Sequence, residues 1–148
     1  MTREEKLNIR MKIQVELKAL LGTLYLRGAE WTDFSIAPTH LDCSELVEVV
    51  FRKLGLMMPD GAANQYAFLK SYEVSSPHPG DVGFFIESEN GDPGRPLGTV
   101  YHSGVVYDDH TVIEARGKPY NKVITRPLIV WNQWKNFGGW FEHPELAL

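Results

Sequence analysis

Asp42-Cys43-Ser44-Glu45-Leu46-Val47-Glu48-Val49-Val50-Phe51-Arg52-Lys53-Leu54-Gly55 is the stretch on which the reading of this chain turns. Asp42 is a good N-cap, and Glu45, three residues on, completes a capping box. Leu46, Val47, Val50 and Leu54 then form an apolar stripe at helical spacing, and Gly55 ends it as a C-terminal cap. The segment is a helix, and it carries the chain's single cysteine in its first turn. There the positive end of the helix dipole favours thiolate over thiol. A lone cysteine is also a good small apolar core residue, so the thiol needs a partner base before it means catalysis.

Upstream of this helix, Leu7, Ile9, Met11, Ile13, Val15 and Leu17 alternate with polar residues in a strand-like period. Thr2 with Glu5 makes a capping box, however, and the segment is rich in Leu, Met, Glu, Gln and Lys, so it is read as helix. Gly28 to Leu41 is a loop around Trp31 and Phe34. Downstream, a shorter helix is expected from Asp60 to about Lys70, and Ser75, Ser76, Pro77, Pro79 and Gly80 mark a turn. Val82 to Ile86, Val100 to Tyr107, Thr111 to Ala115 and Val123 to Arg126 are rich in β-branched and aromatic residues and are separated by turn signals such as Asn90-Gly91. Helices followed by strands predict an α+β fold with N-terminal helices packed on an antiparallel β-sheet.

Of His40, His78, His102, His110 and His143, only His102 lies inside a strong strand pattern, where a rigid scaffold aims it. Asp108-Asp109-His110 reverses the chain into Thr111 to Ala115. A three-residue loop pairing Tyr107 with Thr111 sets His102 opposite Arg116 and Gly104 opposite Glu114, which puts Glu114 on the face of His102 as a diagonal neighbour. A two-residue loop would turn Glu114 to the other face. Arg116, on the expected face of His102, is placed either to bind a substrate carboxylate or to sit in solvent as a strand-end charge.

The 148 residues suit one domain, 1–148, with 43% hydrophobic and 23% charged residues. A formal charge of -4 argues against a nucleic-acid partner. The charged N-terminus has no apolar secretory core, and the sequence has no apolar run of membrane-spanning length, so synthesis in the cytoplasm and no membrane insertion are expected. His40-x-x-Cys43 has no second ligand pair at zinc spacing, and neither a metal nor any other cofactor is expected.

The motifs together resemble the NlpC/P60 family of cysteine peptidases. Asp42-Cys43-Ser44-Glu45-Leu46-Val47 resembles its D-C-S-G-L-V nucleophile motif, Pro79-Gly80-Asp81-Val82-Gly83-Phe84-Phe85 its P-G-D-L-x-F-F strand, and His102-Ser103-Gly104-Val105-Val106 its H-V-G-I-Y. Pro59, Ala63 and Gln65 resemble its P-x-x-A-x-x-Q stretch, and Ile113-Glu114-Ala115 the segment that carries its third polar residue, commonly His, Asn or Gln. The resemblance spans about Trp31 to Ala115. The family's usual Gly after Cys-Ser is Glu45 here, and its usual tyrosine twelve residues before the nucleophile is Trp31, which keeps an aromatic wall and loses the hydroxyl.

The resemblance implies a papain-like fold and hydrolysis of an amide in the stem peptide of peptidoglycan, commonly from the γ-carboxyl of D-glutamate to a diamino acid. Cys43 is then the nucleophile, His102 its base, and Glu114 the residue that holds the Nδ1–H of His102. Trp31, Asp42, Ser44 and Arg116 are the candidate substrate contacts, with helix capping as the plainer reading of Asp42 and Ser44. Without a leader or wall-binding repeats, the chain reads as a phage lysin or as a tail-associated enzyme among phage tail proteins, acting at the cell wall or periplasm. A structural tail component keeping the same fold is the alternative. Trp131, Trp134, Phe137 and Trp140, at near-helical spacing, are read as core closure in preference to a glycan platform, and the loop from Glu89 to Gly98 as a surface loop that could overhang the cleft.

Overall fold

A computed structural model describes residues 1–89 and 94–148. The first helix, α1 (Arg3–Ala19), is opened by the Thr2/Glu5 capping box, so the caps and composition outweigh the alternating pattern. Two short strands, β1 (Leu24–Tyr25) and β2 (His40–Leu41), flank the loop around Trp31. The central helix α2 (Cys43–Lys53) is capped by Asp42, whose Oδ1 accepts from the Glu45 N–H at 2.8 Å. Helix α3 (Ala62–Leu69) and strand β3 (Glu73–Val74) follow. The main strands are β4 (Val82–Ile86), β5 (Val100–Asp108), β6 (Thr111–Arg116) and β7 (Lys122–Pro127), and the chain finishes with α4 (Leu128–Gln133), β8 (Phe137–Phe141) and a 3₁₀ turn at Pro144–Leu146. No described helix is long and apolar enough to cross a membrane.

The eight strands form one curled sheet in the order β2-β1-β7-β6-β5-β4-β8-β3. Every pair is antiparallel except β1 with β2. This is the α+β arrangement of helices against an antiparallel sheet. Helices α1 and α2 cover one face through Ile13, Leu17, Leu46, Val50 and Phe51, packed with Phe84, Val105 and Ile113. Phe85, Val106 and Val112 point to the other face and are sealed by Trp131 and Trp140. Arg10 of α1 fastens the layers: it donates to the Pro79 carbonyl at 2.9 Å, to Asp81 at 2.8 Å and to the Leu146 carbonyl at 2.8 Å. The Pro79-Gly80-Asp81 motif thus receives α1, and Gly80, at φ +92°, also leaves the room that Ile13 fills.

Three local expectations are corrected. Glu45 makes no return hydrogen bond to the Asp42 backbone. Its side chain is buried beside Glu48, and burial, with the Glu48 charge second, pushes its carboxyl up to about 8. The β5–β6 loop is the two residues Asp109 and His110, with Asp108 opposite Thr111. Tyr107 is an extra residue bulged out of β5, so Val106 still faces Val112 and Val105 still faces Ile113, the register a three-residue loop would give. The C-terminal aromatics belong to two elements: a short helix holds Trp131 and a strand holds Phe137 and Trp140. Core closure describes Trp131 and Trp140, while Trp134 is 44% exposed. The Asn90-Gly91 turn, with the centre of the Glu89–Gly98 loop, lies outside the described residues.

Gly83 and Gly104 face each other across β4 and β5 and form a slot for the two sealing indoles. A Cβ at Gly104 would stand 2.8 Å from Trp131 Cζ2 and 3.3 Å from Glu114 Cβ. Overpacking a fixed ring costs about 1–3 kcal/mol. Gly104→Ala is therefore expected to lower stability by about that amount, read as a reduced urea midpoint at unchanged slope, and an unchanged midpoint would show that Trp131 is free to yield.

Candidate active site

Cys43 is the first residue of α2, so its backbone N–H has no intrahelical acceptor and the helix dipole acts directly on its sulfur. His102 and the backbone of Ser103, both on β5, are the neighbours that favour the ionised form of this thiol. A buried Gln65 sets the spacing between helix and strand. Its Nε2 donates to the Ser44 carbonyl at 2.8 Å and to the Pro59 carbonyl at 3.0 Å, and its Oε1 accepts from Ser103 Oγ at 3.0 Å. The P-x-x-A-x-x-Q stretch is thus a brace between the turn that carries Cys43 and the strand that carries His102.

His102 stands beside a second irregularity in β5, where Tyr101 is the extra residue between the pairings Phe85–His102 and Ile86–Val100. Its ring lies 5.2 Å from Phe85 and 5.5 Å from Trp131, centroid to centroid. Its Nε2 meets Glu114 Oε1 at 2.9 Å. The expected pairing of Glu114 with His102 is present, but through Nε2 where Nδ1 was expected, which leaves Nδ1 for the thiol. The difference follows from position: the carboxylate reaches the imidazole from the strand beside it.

Glu114 is 0% exposed. Besides His102 it accepts from Arg126 Nε at 2.8 Å and Nη2 at 3.1 Å, from Arg116 Nη1 at 3.3 Å and from the Trp131 indole N–H. Burial alone would raise its pKa, but the His102 and Arg126 interactions outweigh it and hold the carboxyl at about 2. Burial likewise opposes the imidazolium of His102, yet the hydrogen bonds to Cys43 and Glu114 raise its pKa to about 9. Burial raises the thiol, and the His102 hydrogen bond and charge more than reverse that, so its pKa falls below the ordinary value. Both shifts run in the direction of a thiolate–imidazolium pair.

The other candidates divide. Asp42 and Ser44 line the cavity at Cys43; Asp42 also caps α2, and its carboxylate accepts from Ser44 Oγ at 3.3 Å and from the Gly28 N–H at 2.9 Å. Arg116 lines a neighbouring cavity with His102. Trp31 lies apart from the thiol: its indole N–H is shared between the Asp33 and Ile36 carbonyls, and its ring faces a different cavity beside Glu45 and Glu48. Tyr25 instead lines the cavity at Cys43, where burial, then the Cys43 and Asp42 charges, raises its phenol. Sequence reasoning missed Tyr25, Arg126 and Trp131. The even parity of Arg126 opposite Val112 on β7 was a signal for Arg126; Tyr25 sits on a two-residue strand that leaves no periodic trace.

Comparison with known proteins bears on the family and the fold. The NlpC/P60 family model matches residues 22–136. The peptidoglycan hydrolase RipB of Mycobacterium tuberculosis superposes with a TM-score of 0.70 at 19% identity over 97% of this chain and 68% of its own. The NlpC/p60 domain of the peptidoglycan hydrolase SagA gives 0.63 at 22% identity over 90% and 98%. NlpC2 from Trichomonas vaginalis gives 0.69 at 19% identity over 91% of this chain, which spans 46% of that protein. The curated proteins contain no match to the sequence.

Replacing Glu114 by Gln removes a charge and keeps an acceptor, so the imidazolium loses stabilisation while the ring keeps its orientation. In the native protein the rate of Cys43 alkylation by iodoacetamide is expected to change a second time near pH 9, as His102 deprotonates. In Glu114→Gln that inflection should fall by about one unit or more; an inflection that stays in place would show that Glu114 does not set the charge of His102.

Proposed function

The chain belongs to the NlpC/P60 family, and from that premise we propose that it is a cysteine endopeptidase that hydrolyses an amide bond in peptidoglycan stem peptides, between the γ-carboxyl of D-glutamate and a diamino acid. The observation that supports this most is the thiol at a helix start, beside an imidazole that a buried carboxylate holds through Nε2. Packing a small apolar side chain needs none of these partners.

In the proposed reaction the Cys43 thiolate attacks the amide carbonyl, and the new C–S bond leaves the electron pair on oxygen. The Cys43 backbone N–H, free at the helix start, donates to that oxyanion. The imidazolium of His102 gives its Nδ1 proton to the departing nitrogen as the C–N bond breaks, and the amine leaves a thioester. His102, now neutral, takes a proton from water, which attacks the thioester. The C–S bond breaks, the acid departs, and the thiolate–imidazolium pair is restored. Throughout, Glu114 carries the charge that makes the protonated imidazole accessible, and it takes up no proton itself.

Asp42, Ser44 and Tyr25, which line the cavity at Cys43, are proposed as contacts for the acyl part of the substrate. Cys43→Ala is expected to abolish release of soluble muropeptides from purified peptidoglycan, a loss of at least about a thousandfold for a missing nucleophile, while the urea midpoint changes little. Product masses from the native protein identify the bond cleaved. Equal release by the variant and the native protein would sink the peptidase reading.

A further inference from the structure

Beyond His102 the cleft continues into a second cavity of about 300 Å³, lined by Phe85, Tyr101, His102, Arg116, Arg126 and Trp134 together with Arg95. Arg95 and Tyr101 also line the cavity that holds Cys43, so the two spaces are contiguous. Their chemistry differs. The Cys43 side carries Asp42, Ser44, Tyr25 and Arg27; the His102 side has cations and aromatic rings, and no acid among its described lining residues.

The charges on the His102 side do not balance. Arg116 and Arg126 make all their side-chain hydrogen bonds with described residues to one carboxylate, that of Glu114, and Glu114 also faces the imidazolium. Among the described residues one guanidinium charge is left without a counter-charge. The side chains of Arg116 and Arg126 are 27% and 19% exposed, which gives their remaining N–H groups an opening to the cavity. Nη1 of Arg126 and Nε and Nη2 of Arg116 are donors with no acceptor among the described residues. Glu114 fixes both guanidiniums in place, so an incoming anion meets donors that are already oriented. Exposed Trp134 and half-buried Tyr101, joined by an indole-to-hydroxyl hydrogen bond of 3.1 Å, form an aromatic wall.

We infer that this cavity is a leaving-group subsite that takes a carboxylate carried by the residue whose amine departs, with Arg116 and Arg126 as its anion donors. The assignment rests on the proposed peptidase reaction. The acyl carbon sits over Cys43 and the departing nitrogen must come within about 3 Å of the imidazole, so the rest of the leaving residue extends past His102 into this space. A diamino acid with free carboxylate is matched there; one whose carboxyls are amides presents no charge to the uncompensated guanidinium.

The test uses the Cys43→Ala protein, which binds without consuming ligand, and two probes: γ-D-glutamyl-diaminopimelate, and the same dipeptide with both diaminopimelate carboxyls converted to carboxamides. Isothermal titration is expected to give the dicarboxylate an affinity on the order of tenfold higher or more. Arg116→Gln in that background should bring the two affinities together, and Arg116→Lys should retain part of the preference, which a merely structural role would not produce. Equal affinities, a preference that survives Arg116→Gln, or no binding of either probe at millimolar concentration would each overturn the subsite. Hydrolysis of the dicarboxylate by the native protein is read in parallel. Absence of cleavage with the binding preference intact would count against the peptidase and leave the subsite standing.

Discussion

A carboxylate with no exposure to water is costly unless its lone pairs and its charge are both answered, by an amount of several kcal/mol. At Glu114 they are answered by His102 from β5, Arg116 from its own strand, Arg126 from β7 and Trp131 from α4. Much of the fold can be traced from this one group. Trp131 can reach it because Gly83 and Gly104 leave a slot across β4 and β5. Arg126 can reach it because β7 pairs with β6 along its whole length, with Glu114 opposite Ile124. His102 can reach it because the register of β5 on β6 survives a two-residue loop through the bulge at Tyr107.

That dependence explains which parts of the site were legible in the sequence. The helix start at Asp42-Cys43 was legible because caps and apolar stripes are local, and the strands because alternation and β-branching are local too. The pairing of Glu114 with His102 was legible as parity, although the loop length used to reach it was wrong: the bulge adds the residue that the loop lacks, and parity counts only their sum. The identity of the bonded imidazole nitrogen depends on the direction from which two side chains approach a ring, and no sequence period carries that. Arg126 and Trp131 were read as a strand end and a core residue because their common target is three-dimensional. Glu45 was read as a cap because its spacing permits one; the competing pull is burial beside Glu48, which spacing does not reveal.

A nucleophile and its base, the roles proposed for Cys43 and His102, need a set distance and a set protonation. Their distance is set by neutral groups: Gln65 joins the Ser44 carbonyl to the Ser103 hydroxyl, and the Ser103 N–H touches the thiol. Their protonation is set by charged groups on the far side of His102, where Glu114 and its arginines lie. Burial opposes both ionised forms, thiolate and imidazolium alike, so neither would persist alone; each is stable because the other is adjacent and because Glu114 biases the proton toward the ring. Glu114 can do so only while it stays ionised in a dry environment, and the guanidiniums keep it so. The positive charge that protects Glu114 from protonation is therefore the same charge that, in excess by one guanidinium, faces the cavity beyond His102. In the proposed reaction, activation of the thiol and attraction of an anion to the departing side of the cleft would have a common electrostatic origin.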